Sequence, residues 1–245
     1  LSKEQFLMKR MTSRLFKLVA AASFAVAGAA FAQPAPQEGR DYVVIPQQPT
    51  QSPGKIEVTE FFQYGCVHCF NLEPVMAEWE KKLGKDVVFR RMPLSFDPSR
   101  IQHVRMYYVL ESLNRLSDLH MRAFNAIHLE KRFLMTPEEQ ADYFSKFNVD
   151  KAKYMELYNS FTVQTKARTA QQTFVNYKIE ATPAIAVNGR FIASPTTSGH
   201  AEMLRTVDAL IAKVRTEQGG AKPAAAAPAA KPTAPAAKPA AATKS

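Results

Sequence analysis

Two cysteines, Cys66 and Cys69, stand where a strand pattern hands over to a helix pattern. The run Lys55-Ile56-Glu57-Val58-Thr59-Glu60-Phe61-Phe62 reads as a strand, with Ile56, Val58, Glu60 and Phe62 on one face by the two-residue period. After Gln63-Tyr64-Gly65 and Cys66-Val67-His68-Cys69, the apolar positions Leu72, Val75, Met76, Trp79 and Leu83 follow helical spacing, and Gly84 is placed to end the helix. A second strand, Val87-Val88-Phe89-Arg90-Arg91-Met92, comes at once. Strand, helix and strand with short links form a βαβ unit, so the two strands are expected to be parallel.

The surroundings of the pair narrow its chemistry. A haem attachment site needs His directly after the second cysteine, and Phe70 stands there. With no other Cys in the chain, a four-thiolate zinc site and a cysteine-bound iron–sulfur cluster are excluded. His68, His103, His120, His128 and His200 lack finger-like spacing, so no metal is expected. As a staple, a disulfide across this short a loop stabilises little, because loop-closure stabilisation grows with loop length. Such a bond suits repeated opening and closing. At the helix N-terminus, backbone N–H groups and the helix dipole favour a thiolate on Cys66. A stabilised thiolate is a good leaving group and makes the disulfide an oxidant of other thiols. Cys69, one turn inward, suits the buried resolving role.

Three further positions bear on this site. His68 is placed to add positive charge or an N–H donor near the Cys66 sulfur, unless it is simply solvated. Glu60 points the same way as its apolar neighbours. Burial there raises its pKa and lets it exchange a proton with Cys69, whereas pairing with Arg91 would pull the pKa down and an exposed edge would leave it ordinary. Thr182-Pro183 enters a later strand. A strand starting directly after Pro183 and a hairpin beyond it favour a cis bond. That bond would turn the Thr182 backbone towards the sulfurs, where it could pair with an extended substrate segment.

The remainder of the middle is helical, then returns to strands. Asp97-Pro98 reads as cap and first residue of a helix with Ile101, Val104 and Tyr108 on one stripe. Thr136-Pro137-Glu138-Glu139 is a capping box, and Asp150 caps a further helix with Val149 and Tyr154 as a hydrophobic staple. Ala167, Ala170, Phe174 and Tyr177 mark the stripe of another. Asn188-Gly189-Arg190 between Ala184-Ile185-Ala186-Val187 and Phe191-Ile192-Ala193 is a strong hairpin signal. A last helix after Ser198 carries Met203, Leu204, Val207, Leu210, Ile211 and Val214. Ahead of everything, the Pro- and Gln-rich residues 33–54 hold one short apolar run, Tyr42-Val43-Val44-Ile45, as a possible edge strand.

Both ends have a different character. In residues 1–32, Lys9, Arg10, Arg14 and Lys17 precede an apolar run at 18–30 and the small-x-small site Ala30-Phe31-Ala32, the pattern of a cleaved signal peptide with Gln33 as first mature residue. Residues 219–245 are nearly all Ala, Pro and Lys and read as a disordered tail. The formal net charge of +10 therefore divides unevenly: each end contributes +4 and residues 33–218 only +2. A nucleic-acid partner, which needs that charge on a folded surface, is not expected.

Taken together, Glu60-Phe61-Phe62, Cys66-Val67-His68-Cys69, Glu73-Pro74, Thr182-Pro183 and Val187-Asn188-Gly189 resemble the DsbA thiol:disulfide interchange proteins of Gram-negative bacteria, over roughly residues 40–217. The resemblance implies an α/β thioredoxin-like fold interrupted by an inserted all-helical domain, and the 117 positions between Cys66 and Pro183 leave room for it. On that reading residues 55–96 form the βαβ part, 97–170 the insertion and 171–218 the ββα part. It makes Cys66 the exposed nucleophile and Cys69 its buried partner. His68 would stabilise the thiolate, and Thr182 and Pro183 would form the cis-proline loop, with Val67 beside them on the substrate face. Glu60, Glu73 and Arg91 fall at charged positions near the site. The implied protein is a monomeric periplasmic oxidase of exported, reduced proteins, reoxidised by a quinone-linked membrane partner of the DsbB type, without a bound cofactor. Val67 departs from the Pro that many members carry. An isomerase usually has a dimerisation domain ahead of the strand, for which residues 33–54 are too short.

Overall fold

The computed structural model describes residues 34–195 and 199–220. The expected signal peptide at 1–32, Ser198 and the tail beyond Gly220 lie outside the described residues. From Glu38 onward the described chain is one compact unit. Its centre is a five-stranded sheet in the order β1-β5-β4-β2-β3. The strands are β1 (Tyr42–Val44), β2 (Ile56–Phe62), β3 (Val87–Pro93), β4 (Ala184–Val187) and β5 (Phe191–Ala193). β2 and β3 run parallel, with Glu60 opposite Arg91, and the other pairings are antiparallel. The Tyr42 run is thus an edge strand, paired with β5.

Strand β2 lies one place in from the β3 edge and is buried at every residue. Its alternation therefore separates two covered faces. On one, Ile56 and Val58 meet Leu72, Met76 and Trp79 of helix α1 (Val67–Glu80) and Met203, Leu204, Val207 and Leu210 of helix α7 (Gly199–Gly220). The Trp79 indole N–H donates to Asp208 Oδ1 at 2.8 Å and ties the two helices together. On the other, Phe61 packs with Ile45, Leu94, Tyr177 and Ala186. Here the buried Glu57 accepts the Gln51 N–H at 2.9 Å.

Between β3 and β4 lies the helical insertion, made of α2 (Ile101–Ser112), α3 (Leu116–His128), α4 (Pro137–Ser145), α5 (Lys151–Asn159) and α6 (Phe161–Asn176). Thr136 and Glu139 form the capping box of α4, and Asp150 caps α5 through the Lys153 N–H at 2.7 Å. The insertion's core takes in Phe62, Tyr64 and Cys69, so its packing reaches the cysteine pair.

Four local expectations change. Helix α1 stops at Glu80 and not at Gly84, because the chain leaves through i→i+3 turns in which Lys82 N–H bonds Trp79 O and Leu83 N–H bonds Glu80 O. Val75 is exposed, away from the buried stripe. Asp97 caps a single 3₁₀ turn (Pro98–Arg100), and α2 begins only at Ile101. Helix α7 also continues through Gly219 and Gly220.

Candidate active site

Cys66 is the N-cap of α1. Its backbone is extended (φ −88°, ψ 115°), and its sulfur accepts the Cys69 N–H at 3.4 Å, the place that a Ser or Asp oxygen usually fills. The Cys66 N–H donates to Gln63 O at 3.1 Å, so a tight turn delivers the chain from β2 to the helix. Both thiols are free: Cys66 is partly exposed and Cys69 buried. The Thr182-Pro183 bond is cis, and Thr182 O lies 3.4 Å from Cys66 Sγ, where the thiol donates to it. Gln63 Nε2 donates to Thr182 Oγ1 at 3.2 Å and links the two loops. Pro183 is buried, Thr182 half-buried and Val67 half-exposed beside Cys66.

These contacts split the two thiols. Hydrogen bonding from the Cys69 thiol lowers the Cys66 pKa most. Burial opposes it, and the Thr182 side chain and the backbone N–H groups of Cys69 and His68 add to the lowering, which brings the pKa to about 5. Burial drives the Cys69 pKa far upward, reinforced by its hydrogen bond to Cys66. At neutral pH the reduced pair is a Cys66 thiolate beside a Cys69 thiol. The His68 side chain is exposed, and its backbone N–H is what reaches the sulfur.

Beneath the pair lies a buried charge cluster. Glu60 is fully buried, with neither carboxyl oxygen hydrogen-bonded, and Arg91 Nε is 3.4 Å away. Arg91 also meets Glu73 at 3.1 Å and Glu80 at 3.5 Å. Burial first, then the Glu73 charge, pushes the Glu60 pKa to about 8 despite Arg91. Of the outcomes open for Glu60, desolvation outweighs the pairing. Burial also presses Glu73 upward, but the His120 hydrogen bond and the Arg91 charge overcome it and leave the pKa below the usual value. Among the described residues no group of three or more His, Cys, Asp or Glu is placed to hold a metal ion.

Sequence reasoning singled out Cys66, Cys69, His68, Glu60, Thr182, Pro183 and Val67, and the fold gathers all of them except the His68 ring into one site. It passed over Gln63 and assigned His200 only as a failed zinc ligand. His200, in the first turn of α7, interacts electrostatically with His68 and Cys66. Its pKa is lowered by burial and by His68, while Cys66 pulls it the other way. No local pattern announces a residue that arrives from 134 positions away.

The comparisons with known proteins agree with this geometry. A model of the DSBA-like thioredoxin domain matches residues 57–210. The thiol:disulfide interchange protein DsbA of Burkholderia cepacia is 35% identical over 215 residues, which cover 86% of this chain and 100% of that protein. The one from Bordetella pertussis is 38% identical over 209 residues, 84% of this chain and 100% of that one. The crystal structure of Pseudomonas aeruginosa DsbA superposes with a TM-score of 0.72 at 37% identity, over 75% of this chain and 97% of that chain. With a thioredoxin fold, a helical insertion and a redox-capable cysteine pair, the chain belongs to the DsbA family and is a thiol:disulfide oxidoreductase of oxidative protein folding.

Proposed function

We propose that the chain donates the Cys66–Cys69 disulfide to reduced, exported proteins. In the first step a substrate thiolate attacks Cys66 Sγ, and the electron pair of the S–S bond leaves on Cys69. Cys69 takes up a proton, for which Glu60, protonated at neutral pH, is the donor. The substrate's second thiolate then attacks its own sulfur in the mixed disulfide and expels Cys66 as a stable thiolate. The substrate leaves oxidised by two electrons and the enzyme holds a dithiol. Thr182, Pro183 and Val67 form the surface that receives the substrate segment, with the backbone beside Pro183 offering strand-like pairing. His68 contributes at the thiolate.

The same reading assigns the residues outside the catalytic pair. Residues 1–32 are a cleaved signal peptide, and the mature protein works in the periplasm as a monomer. Residues 97–170 form the inserted domain, although α6 runs across its C-terminal boundary. A quinone-linked membrane protein of the DsbB type restores the disulfide, and no bound cofactor is needed. The observation that carries the proposal is the asymmetry of the two thiols: Cys66 is partly exposed at the helix N-terminus with its sulfur accepting the Cys69 N–H, whereas Cys69 is buried, which favours a thiolate on the first and a thiol on the second. Thiolate absorbance of the reduced protein against pH, with Cys66→Ser as blank, tests it. A transition near 5 is expected. A transition near the unperturbed ~8.5 would defeat the oxidase reading.

A further inference from the structure

One helix of the insertion holds Tyr64, two residues before the Cys66 nucleophile, at both ends. His120 Nδ1 is 2.8 Å from the Tyr64 hydroxyl, and His128 Nε2–H donates to Tyr64 O at 2.8 Å. Between them on α3, Phe124 packs its ring 4.9 Å from that of Tyr64. His120, Phe124 and His128 recur every fourth residue, which places them along one side of the helix.

The roles of the rings follow from their partners. His120 Nε2 is 3.0 Å from Glu73 Oε1. Burial keeps His120 below its ordinary pKa against the pull of Glu73, so the ring is neutral. Its Nε2–H then donates to the Glu73 carboxylate and its Nδ1 accepts from the Tyr64 hydroxyl. His128 does a second thing. Its ring stacks on Phe70 with centroids 4.8 Å apart and planes 10° from parallel, and the Phe70 N–H bonds Cys66 O at 3.0 Å. His128 therefore grips the cysteine motif on both sides, through Tyr64 before it and Phe70 after it.

We propose that His128 and His120 are positioning residues for the catalytic sulfur: from the insertion they fix the Tyr64-Gly65-Cys66 turn, and with it the direction in which Cys66 Sγ meets its hydrogen-bond donors. The proposal rests on Cys66 being the nucleophile. Its physical basis is the reach of those contacts. The sulfur accepts the Cys69 N–H at 3.4 Å and, as a thiol, donates to Thr182 O at 3.4 Å, and hydrogen bonds weaken steeply once alignment is lost. A turn released from His128 leaves the Tyr64 carbonyl without its donor and free to rotate towards another.

Three variants test this: His128→Phe, which keeps a ring against Phe70 but cannot donate, His128→Gln, which restores an N–H donor, and Tyr64→Phe, which cuts only the link to His120. Each reduced protein is titrated by thiolate absorbance, and each is equilibrated with glutathione. His128→Phe is expected to raise the Cys66 midpoint by about 0.5–1 unit and shift the glutathione equilibrium about three- to tenfold towards the enzyme disulfide. His128→Gln should recover most of that shift, and Tyr64→Phe should show a smaller change of the same sign. Unchanged midpoints and equilibria in all three overturn the proposal, as does an equal shift in the Phe and Gln variants. If His128→Phe fails to fold, Tyr64→Phe decides alone: a shift supports the clamp and no shift overturns it. An unaltered chain titrating near ~8.5 would defeat the nucleophile reading and the clamp with it, an outcome distinct from a normal parent with unresponsive variants.

Discussion

Cys66 and Cys69 share one helical turn, and burial makes them unlike. The outer sulfur collects donors from its own helix start and from Thr182, whereas the inner one loses water without gaining a compensating charge. Glu60 repeats that contest one layer deeper. Desolvation holds its proton to about pH 8 even with Arg91 beside it. A carboxyl with a raised folded-state pKa costs nothing below its unfolded pKa, and its burial penalty grows as pH rises towards the folded value. Glu60→Gln should therefore match the parent in urea unfolding near pH 4 and exceed it by about 1–3 kcal/mol at pH 9. The same substitution removes the proton donor for Cys69, so stopped-flow reduction of the disulfide by a model thiol should slow. A variant that is more stable at pH 9 but no slower would leave Glu60 a buried charge without a catalytic part.

Among the elements, those defined by local chemistry were readable in advance and their ends less so. The parallel β2–β3 pair, the capping box of α4 and the cap of α5 depend on residues close in sequence. The hairpin between β4 and β5 does too, with Asn188 (φ 52°) and Gly189 (φ 68°) both left-handed. Gly189 meets a second demand from afar: a Cβ there would lie 2.4 Å from Gln48 O, and Gly189 O accepts the Gln48 N–H at 2.8 Å. Gly189→Ala should thus lower stability by about 1–3 kcal/mol in a urea melt, while the thiolate titration stays in place, because strain and clash are added far from the sulfurs. The end of α1 escaped because Gly84 looks like a helix stop.

For the whole molecule, redox state and stability are linked through the same sulfurs. Cys66 titrates lower in the folded reduced protein than in the unfolded chain, so its contribution to stability is lost as pH falls through about 5. Cys69 titrates higher when folded, and that contribution is lost as pH rises beyond the unfolded thiol value of ~8.5. The disulfide form has neither thiol to titrate. Urea unfolding of both forms from pH 4 to 10 should find the reduced form favoured most near pH 8, with the advantage shrinking on both sides. A reduced form less stable than the disulfide at pH 7 would place the protein among reductants.

The order of residues along the chain was enough for the βαβ start with both thiols at a helix N-terminus, the return through a hairpin, and the concentration of surplus charge at the two ends. Each follows from periodicity, capping or composition, which act over a few neighbouring residues. Tertiary structure alone decided that Glu60 is sealed away with Arg91 and Glu73, that His200 comes within electrostatic reach of Cys66, and that two histidines of the insertion hold Tyr64. A residue's type states which bonds it can make, but desolvation and partner geometry arise only when distant segments pack, and those two quantities separate a thiolate from a thiol.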